Sequence, residues 1–110
     1  MLTGSDQKIS QELKRRLQEV AADRLQAILV YSSRAWGKAG PDSDLDVAVI
    51  IQGLTPDLEA ALYEAAYEVM WEHDFTPLIS LKVFDALNFS AYQEQGFSFY
   101  RKVAQEGIPL

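Results

Sequence analysis

The chain has 110 residues, 48% of them apolar, which suits one domain with a single core. Its formal net charge of −6 disfavours a broad phosphate-binding surface, because nucleic-acid-binding proteins carry clustered basic residues. The absence of cysteine excludes disulfides and thiolate catalysis, and we expect a single domain over residues 1–110 with no direct nucleic-acid partner.

The N-terminal half predicts a helix followed by two strands. The first ten residues lack the apolar stretch of a signal peptide, and no apolar run approaches the roughly 18 residues of a membrane span, so we expect a cytoplasmic protein. Apolar residues at helical spacing within KISQELKRRLQEVA predict an amphipathic helix. The segments LQAILVY and DLDVAVII are short, apolar and rich in branched residues, which predicts buried strands. The intervening RAWGKAGPDS has the composition of a loop.

The C-terminal half predicts a long helix, a strand and two short helices. Thr55 can cap the long helix, and Pro56 suits its first position. That helix has an apolar core stripe and a second apolar face on Tyr63, Tyr67 and Met70, whereas Trp71 and Phe75 are predicted to be core. Glu64, Glu68 and Glu72 form a like-charge row that we expect to be solvated. FTPLISLKVF predicts a third strand, and Gly107 is predicted to end the last helix.

This order of elements predicts the fold class. It indicates an α/β or α+β domain, with helices packed on a small mixed sheet. The order is helix, strand, loop, strand, helix, strand and two helices.

The second predicted strand begins with two carboxylates. Because side chains alternate along a strand, Asp44 and Asp46 should lie on one face. Two neighbouring carboxylates repel each other and resist burial unless a cation neutralises them. Magnesium suits such oxygen ligands and also binds nucleotide phosphates. The alternative is a solvated turn in which Asp42 and Ser43 act as caps.

The residues that follow the first predicted strand favour the metal interpretation. Ser32 and Ser33 fall where that strand gives way to a turn, and Arg34 follows them. Free backbone amides at such a turn can bind an anion, and small hydroxyl residues allow a phosphate to approach closely. A nucleoside triphosphate with its metal would connect this turn to the paired carboxylates.

Residues 31–50 resemble the signature of the nucleotidyltransferases of the DNA polymerase beta superfamily. That signature is an apolar residue, Gly, Ser, about ten residues and then Asp, any residue, Asp. Ser33 stands at the position of the family's Ser, and Asp44 and Asp46 stand at the paired acids. SRAWGKAGPDSDLDV is similar in particular to the minimal nucleotidyltransferases, which implies the polymerase beta-like palm fold. The resemblance implies Asp44 and Asp46 as catalytic metal ligands. The implied nucleotide-binding residues are Ser32, Ser33, Arg34, Lys38 and Ser43.

The sequence departs from the family pattern twice. Ser32 stands where the family has Gly, which adds a side chain where a phosphate approaches. Many members also place a third acid on a later strand, but the interior of TPLISLKVF offers Ser80 and Lys82. Asp74 and Asp85, which flank that strand, are the candidate substitutes.

The resemblance also implies a substrate and a partner. Minimal nucleotidyltransferases of this kind act as antitoxins that transfer AMP from ATP, with Mg²⁺ or Mn²⁺, to a tyrosine of a HEPN ribonuclease toxin encoded beside them. An acidic chain fits such a protein acceptor, because the RNA-binding surface of a HEPN toxin would be basic and would attract it. Tyr63, Tyr67 and Met70 are one candidate docking face. The alternative is a catalytically silent antitoxin that neutralises the toxin by complex formation alone. Transfer to a small antibiotic is disfavoured, because it would need an added substrate domain.

Overall fold

The computed structural model describes residues 4–31 and 44–110, apart from the side chain of Ser5. The described helices are α1 (Gly4–Ala21), α2 (Pro56–Glu72), α3 (Ala86–Glu94) and α4 (Ser98–Glu106). The described strands are β1 (Leu25–Val30), β2 (Leu45–Ile51), β3 (Ile79–Asp85) and β4 (Ile108–Pro109). These strands form one sheet in the order β3-β2-β1-β4. β2 and β3 are parallel, whereas β1 pairs antiparallel with β2 and β4. This mixed sheet with flanking helices confirms the predicted fold class.

Two helix layers cover the two faces of the sheet. α1 and α2 cover one face, where the apolar side chains of all three longer strands join those of the two helices in the larger core cluster. α3 and α4 cover part of the other face, where Phe89 and Val103 pack on Ala48 and Ile50 of β2. Within the described ranges, no helix has both the length and the hydropathy needed to cross a bilayer.

The sequence patterns explain where α1 and α2 form. Ile9, Leu13 and Leu17 recur on one face of α1 and are at most 1% exposed, so burial of this stripe fixes the helix on the sheet. Thr55 caps α2 as predicted, because its hydroxyl accepts a hydrogen bond from the Leu58 amide at 3.2 Å. Pro56 occupies the first turn, where its missing amide costs no hydrogen bond.

The outer face of α2 differs from the prediction. Tyr63, Tyr67 and Trp71 are 40%, 55% and 66% exposed, so the prediction that Trp71 belongs to the core is wrong. Phe75 lies half-buried against this row, with its ring centroid 5.5 Å from that of Tyr67 and 5.9 Å from that of Trp71. Met70 points inward instead, because its sulfur accepts a hydrogen bond from the Ile79 amide and its side chain packs on the core. The exposed aromatic face is therefore Tyr63, Tyr67 and Trp71, without Met70.

The glutamate row beside this face is solvated and partly paired. Arg16 of α1 contacts both carboxylate oxygens of Glu72 at 2.7 Å and one oxygen of Glu68 at 3.5 Å. These ion pairs relieve the repulsion within the row and join α1 to α2. Glu68 and Glu72 are nevertheless exposed, which confirms the prediction of a solvated face. Glu64 is exposed.

The sequence patterns miss β4, which has only two residues. Ile108 pairs with Val30 and Pro109 with Leu29, and the Leu110 amide donates to the Ile28 carbonyl at 3.0 Å. Gly107 ends α4 as predicted, but with φ −65, so no left-handed backbone requires glycine there. Close packing does: an added Cβ would lie 2.5 Å from the Val103 carbonyl oxygen and 3.1 Å from Leu29 Cβ.

Gly107→Ala should therefore destabilise the protein. The new methyl group would push the turn between α4 and β4 away from the sheet, and we expect a cost of about 1–3 kcal/mol in the free energy of unfolding. Urea denaturation measures it. Gly4→Ala is the control, since nothing lies within 4 Å of a Cβ at that glycine. Equal midpoints for Gly107→Ala and the unaltered protein would contradict the packing described here.

Candidate functional site

Asp44 and Asp46 lie where β2 enters the sheet. The alternation of β2 turns Leu45 and Val47 into the larger core cluster and leaves Asp46 on the opposite face, together with Ala48 and Ile50. α3 and α4 cover Ala48 and Ile50, but Asp46 is only half-buried and Asp44 is exposed. Asp46 thus lies at the start of this face, and the charge of Asp44 acts on its carboxyl.

The surroundings of Asp46 make its ionised form less favourable than it is in water. Burial and the neighbouring charge of Asp44 raise the pKa of the Asp46 carboxyl. The ammonium of Lys82 and a hydrogen bond with Ser80 offset part of that rise in pKa. A cation bound by the two carboxylates would offset this penalty on the ionised form.

β3 supplies the neighbours of Asp46 on the sheet. The parallel register places Ser80 directly opposite Asp46 and Lys82 opposite Ala48. Leu81 and Val83 pack against the larger core, so Ser80 and Lys82 lie on the same face as Asp46. The position expected for a third acid is thus occupied by a hydroxyl and an ammonium group.

Neither candidate substitute for the third acid joins the pair. Asp85 is opposite Ile51, at the far end of β2, where its carboxylate accepts hydrogen bonds from the Leu54 and Leu87 amides. Asp74 lies in the turn after α2, beside Trp71 and Phe75. Across residues 4–31 and 44–110, no group of three or more histidine or acidic side chains is placed to hold a metal ion.

Tyr31 is a site residue that the sequence analysis does not single out. It follows β1 directly, and its amide donates to the Asp46 carbonyl at 3.1 Å. Its ring packs edge-on against Phe99 at 5.7 Å, and its hydroxyl is buried without a hydrogen-bond partner among the described residues. Burial, with a smaller contribution from the Asp46 charge, raises the pKa of Tyr31 to about 12. The phenol is therefore neutral at physiological pH and forms an apolar wall beside Asp46.

Tyr31→Phe should stabilise the protein. A buried hydroxyl without a partner costs free energy that a phenyl ring of the same shape avoids, so we expect a gain of about 1 kcal/mol in the free energy of unfolding. Thermal and urea denaturation measure the gain. Tyr92→Phe is the control, because Tyr92 is 42% exposed. A loss of stability confined to Tyr31→Phe would contradict an unpartnered hydroxyl.

Lys82 is the second residue to which the sequence analysis assigns no function. Its ammonium nitrogen lies 5.1 Å from the centroid of the Phe99 ring, which is half-buried between β3 and Tyr31. The strand alternation within ISLKVF could have indicated that Lys82 faces away from the larger core. The sequence alone could not place it beside Asp46, because that depends on the register of β3 against β2.

The remaining predicted site residues lie outside the described residues. These are Ser32, Ser33, Arg34, Lys38 and Ser43. Of the predicted site, the structure brings together Asp44 and Asp46, and it adds Ser80, Lys82 and Tyr31 around them.

The donor set fits a magnesium or manganese ion. Such an ion commonly takes one or two carboxylates from the protein and completes its shell with water and substrate phosphates. Asp44 and Asp46 supply two neighbouring carboxylates, of which Asp44 is exposed. A comparison with protein-family models finds no match, and a comparison with curated proteins finds none either.

Proposed function

We propose that this protein is a metal-dependent nucleotidyltransferase that transfers AMP from ATP to a hydroxyl of a protein partner. One observation carries the proposal: Asp46 lies half-buried at the start of a buried strand beside the exposed Asp44, and burial and the Asp44 charge raise the pKa of Asp46. A protein maintains such a repulsive pair at a cost in stability, which cation binding would offset. The resemblance of residues 31–50 to the polymerase beta superfamily supports the same chemistry and the palm fold.

The proposed reaction forms one phosphorus–oxygen bond and breaks another. The acceptor hydroxyl attacks the α-phosphorus of ATP, pyrophosphate leaves, and the hydroxyl proton passes to solvent. Asp44 and Asp46 would hold the magnesium ion, which neutralises triphosphate charge and polarises the α-phosphate when bound. Ser32, Ser33, Arg34, Lys38 and Ser43 are the proposed nucleotide-binding residues. Among them, the Arg34 guanidinium suits two phosphate oxygens at once.

The exposed aromatic face of α2 supports a protein acceptor. Tyr and Trp are enriched at the centres of protein interfaces, and Tyr63, Tyr67 and Trp71 follow one another at four-residue spacing along the helix. Contacts of Phe75 with Tyr67 and Trp71 extend this row into one surface. Its composition is that of a docking surface, whereas a solvated helix face is polar.

The charge around this surface selects a basic partner. Every charged residue of α2 is acidic. Arg16 of α1 pairs with Glu68 and Glu72, but Asp57, Glu59 and Glu64 keep the helix surface negative overall. A second copy of the chain would set these acids against each other, whereas a partner with exposed arginines would pair with them and stack on the aromatic rings. A HEPN-type ribonuclease, whose RNA-binding surface is basic, has this chemistry, and we propose that this protein is its antitoxin.

The experiment that tests the proposal is a label-transfer assay. The purified protein is incubated with magnesium, ATP labelled at the α-phosphate and the product of the adjacent gene. We expect label on a tyrosine of that product, loss of its ribonuclease activity, and no label when the ATP carries its label on the γ-phosphate. A stable complex without label would instead indicate the silent binding module. Lys82 in place of a third carboxylate is the observation that favours this alternative.

A further inference from the structure

Lys82 is fixed beside the carboxylate pair by two independent contacts. The parallel register pairs it with Ala48, two residues beyond Asp46 and on the same face of the sheet. Its side chain also lies over the Phe99 ring, which holds the ammonium nitrogen 5.1 Å from the ring centroid. Lys82 is exposed, and its charge acts on the Asp46 carboxyl.

This positive charge has opposite effects on the two components of a metal–nucleotide complex. A divalent cation placed between Asp44 and Asp46 is repelled by the ammonium of Lys82, because the ammonium already neutralises part of the carboxylate charge. A triphosphate bound to that cation is attracted by the same ammonium. A third carboxylate at this position would reverse both effects.

We infer that Lys82 makes the site take up its divalent cation together with the nucleotide and disfavours the cation alone. Lys82 binds phosphate in addition to Arg34, and it lowers the affinity of Asp44 and Asp46 for the free metal ion. The inference rests on the proposed function for the identity of the ligand, a metal–nucleotide complex. The position of Lys82 rests on the strand register and on the contact with Phe99. It also gives a reason for the departure from the three-acid pattern. A third acid would help to bind metal, whereas Lys82 itself supplies positive charge to the triphosphate.

Two calorimetric titrations of the intact protein test the inference. One uses Mn²⁺ alone, and the other uses Mn²⁺ with an ATP analogue that has a methylene group between its α- and β-phosphorus atoms. Lys82→Met should bind free Mn²⁺ roughly threefold to tenfold more tightly and the Mn²⁺–analogue complex about tenfold more weakly. Lys82→Arg should resemble the unaltered protein in both titrations. Lys8→Met is the control, because Lys8 is exposed on α1, which covers the opposite face of the sheet.

The opposite signs separate this role from a structural one. A variant that merely distorted the site would weaken both titrations, and that result, or no change in either, would overturn the inference. If the unaltered protein binds neither Mn²⁺ nor the Mn²⁺–analogue complex while Lys82→Met gains Mn²⁺ binding, the proposed nucleotidyltransferase fails. The effect of Lys82 on the affinity for free metal would still stand. If neither protein binds Mn²⁺, both proposals are overturned.

Discussion

Asp46→Asn should abolish nucleotide transfer while it raises the thermal stability of the metal-free protein. The amide removes a metal ligand, and we expect transfer to fall by roughly 100-fold or more. The same change removes a carboxylate that is penalised in the folded state by burial and by Asp44. The amide oxygen can still accept the hydrogen bond from Ser80. Activity and stability should therefore move in opposite directions.

The stability gain should depend on pH in a defined sense. The folded-state pKa of Asp46 lies above its ordinary value of 3.8, so folding favours the protonated acid. Below that ordinary value Asp46 is neutral whether the chain is folded or unfolded, and the stabilising contribution of its protonated form is lost as the pH rises through the raised pKa. The gain in stability from Asp46→Asn should thus be largest at pH 7. It should shrink as the pH falls from the raised pKa of Asp46 toward 3.8.

Melting temperatures of both proteins between pH 3 and pH 7, without metal, measure this effect. Asp23→Asn is the control, because Asp23 is exposed in the short turn before β1. Melting temperatures that fall for Asp46→Asn at pH 7 would contradict the electrostatic account of the pair. Full retention of transfer activity would contradict the role of Asp46 as a metal ligand.

Trp71→Ala should weaken the complex with the acceptor protein by roughly 30-fold. Trp71 is 66% exposed and the most exposed residue of the aromatic face, and truncating an aromatic anchor at an interface commonly costs about 2 kcal/mol of binding free energy. The fold should tolerate the change, because most of the indole already contacts solvent. Surface plasmon resonance with the immobilised product of the adjacent gene measures the affinity.

A matched control removes another exposed apolar side chain. Leu87 is 82% exposed on α3, on the other side of the sheet, so Leu87→Ala should leave the affinity unchanged. Glu64→Lys should weaken the complex and reduce its dependence on salt, because it reverses a charge beside the aromatic face. Equal affinities for Trp71→Ala and Leu87→Ala would contradict docking through α2.

The sequence predicts the main elements because their signals are local. Helical spacing of Ile9, Leu13 and Leu17 and the cap at Thr55 depend on neighbouring residues, and both helices form as predicted. β4 was not predictable from local pattern, since two residues form a strand only where β1 offers a free edge. The inward position of Met70 likewise follows from a contact with the start of β3, which helical geometry alone does not show.

The candidate site was predictable only where a single strand determines it. Alternation along β2 turns Asp46 away from the larger core, and Asp44, directly before the strand, is its neighbour in sequence. The roles of Tyr31 and Lys82 depend on how β1 and β3 align with β2, and no local pattern encodes that register. Asp85 illustrates the same limit: it flanks the right strand in sequence but caps α3 at the wrong end of the sheet.

Anomalous scattering from a crystal soaked in Mn²⁺ and the methylene ATP analogue tests the central claim most directly. We predict a manganese peak within coordinating distance of carboxylate oxygens of both Asp44 and Asp46, with the triphosphate completing its shell. A structure with the analogue absent or bound elsewhere, no manganese at the pair, and both carboxylates bonded to main-chain amides would contradict the proposed function.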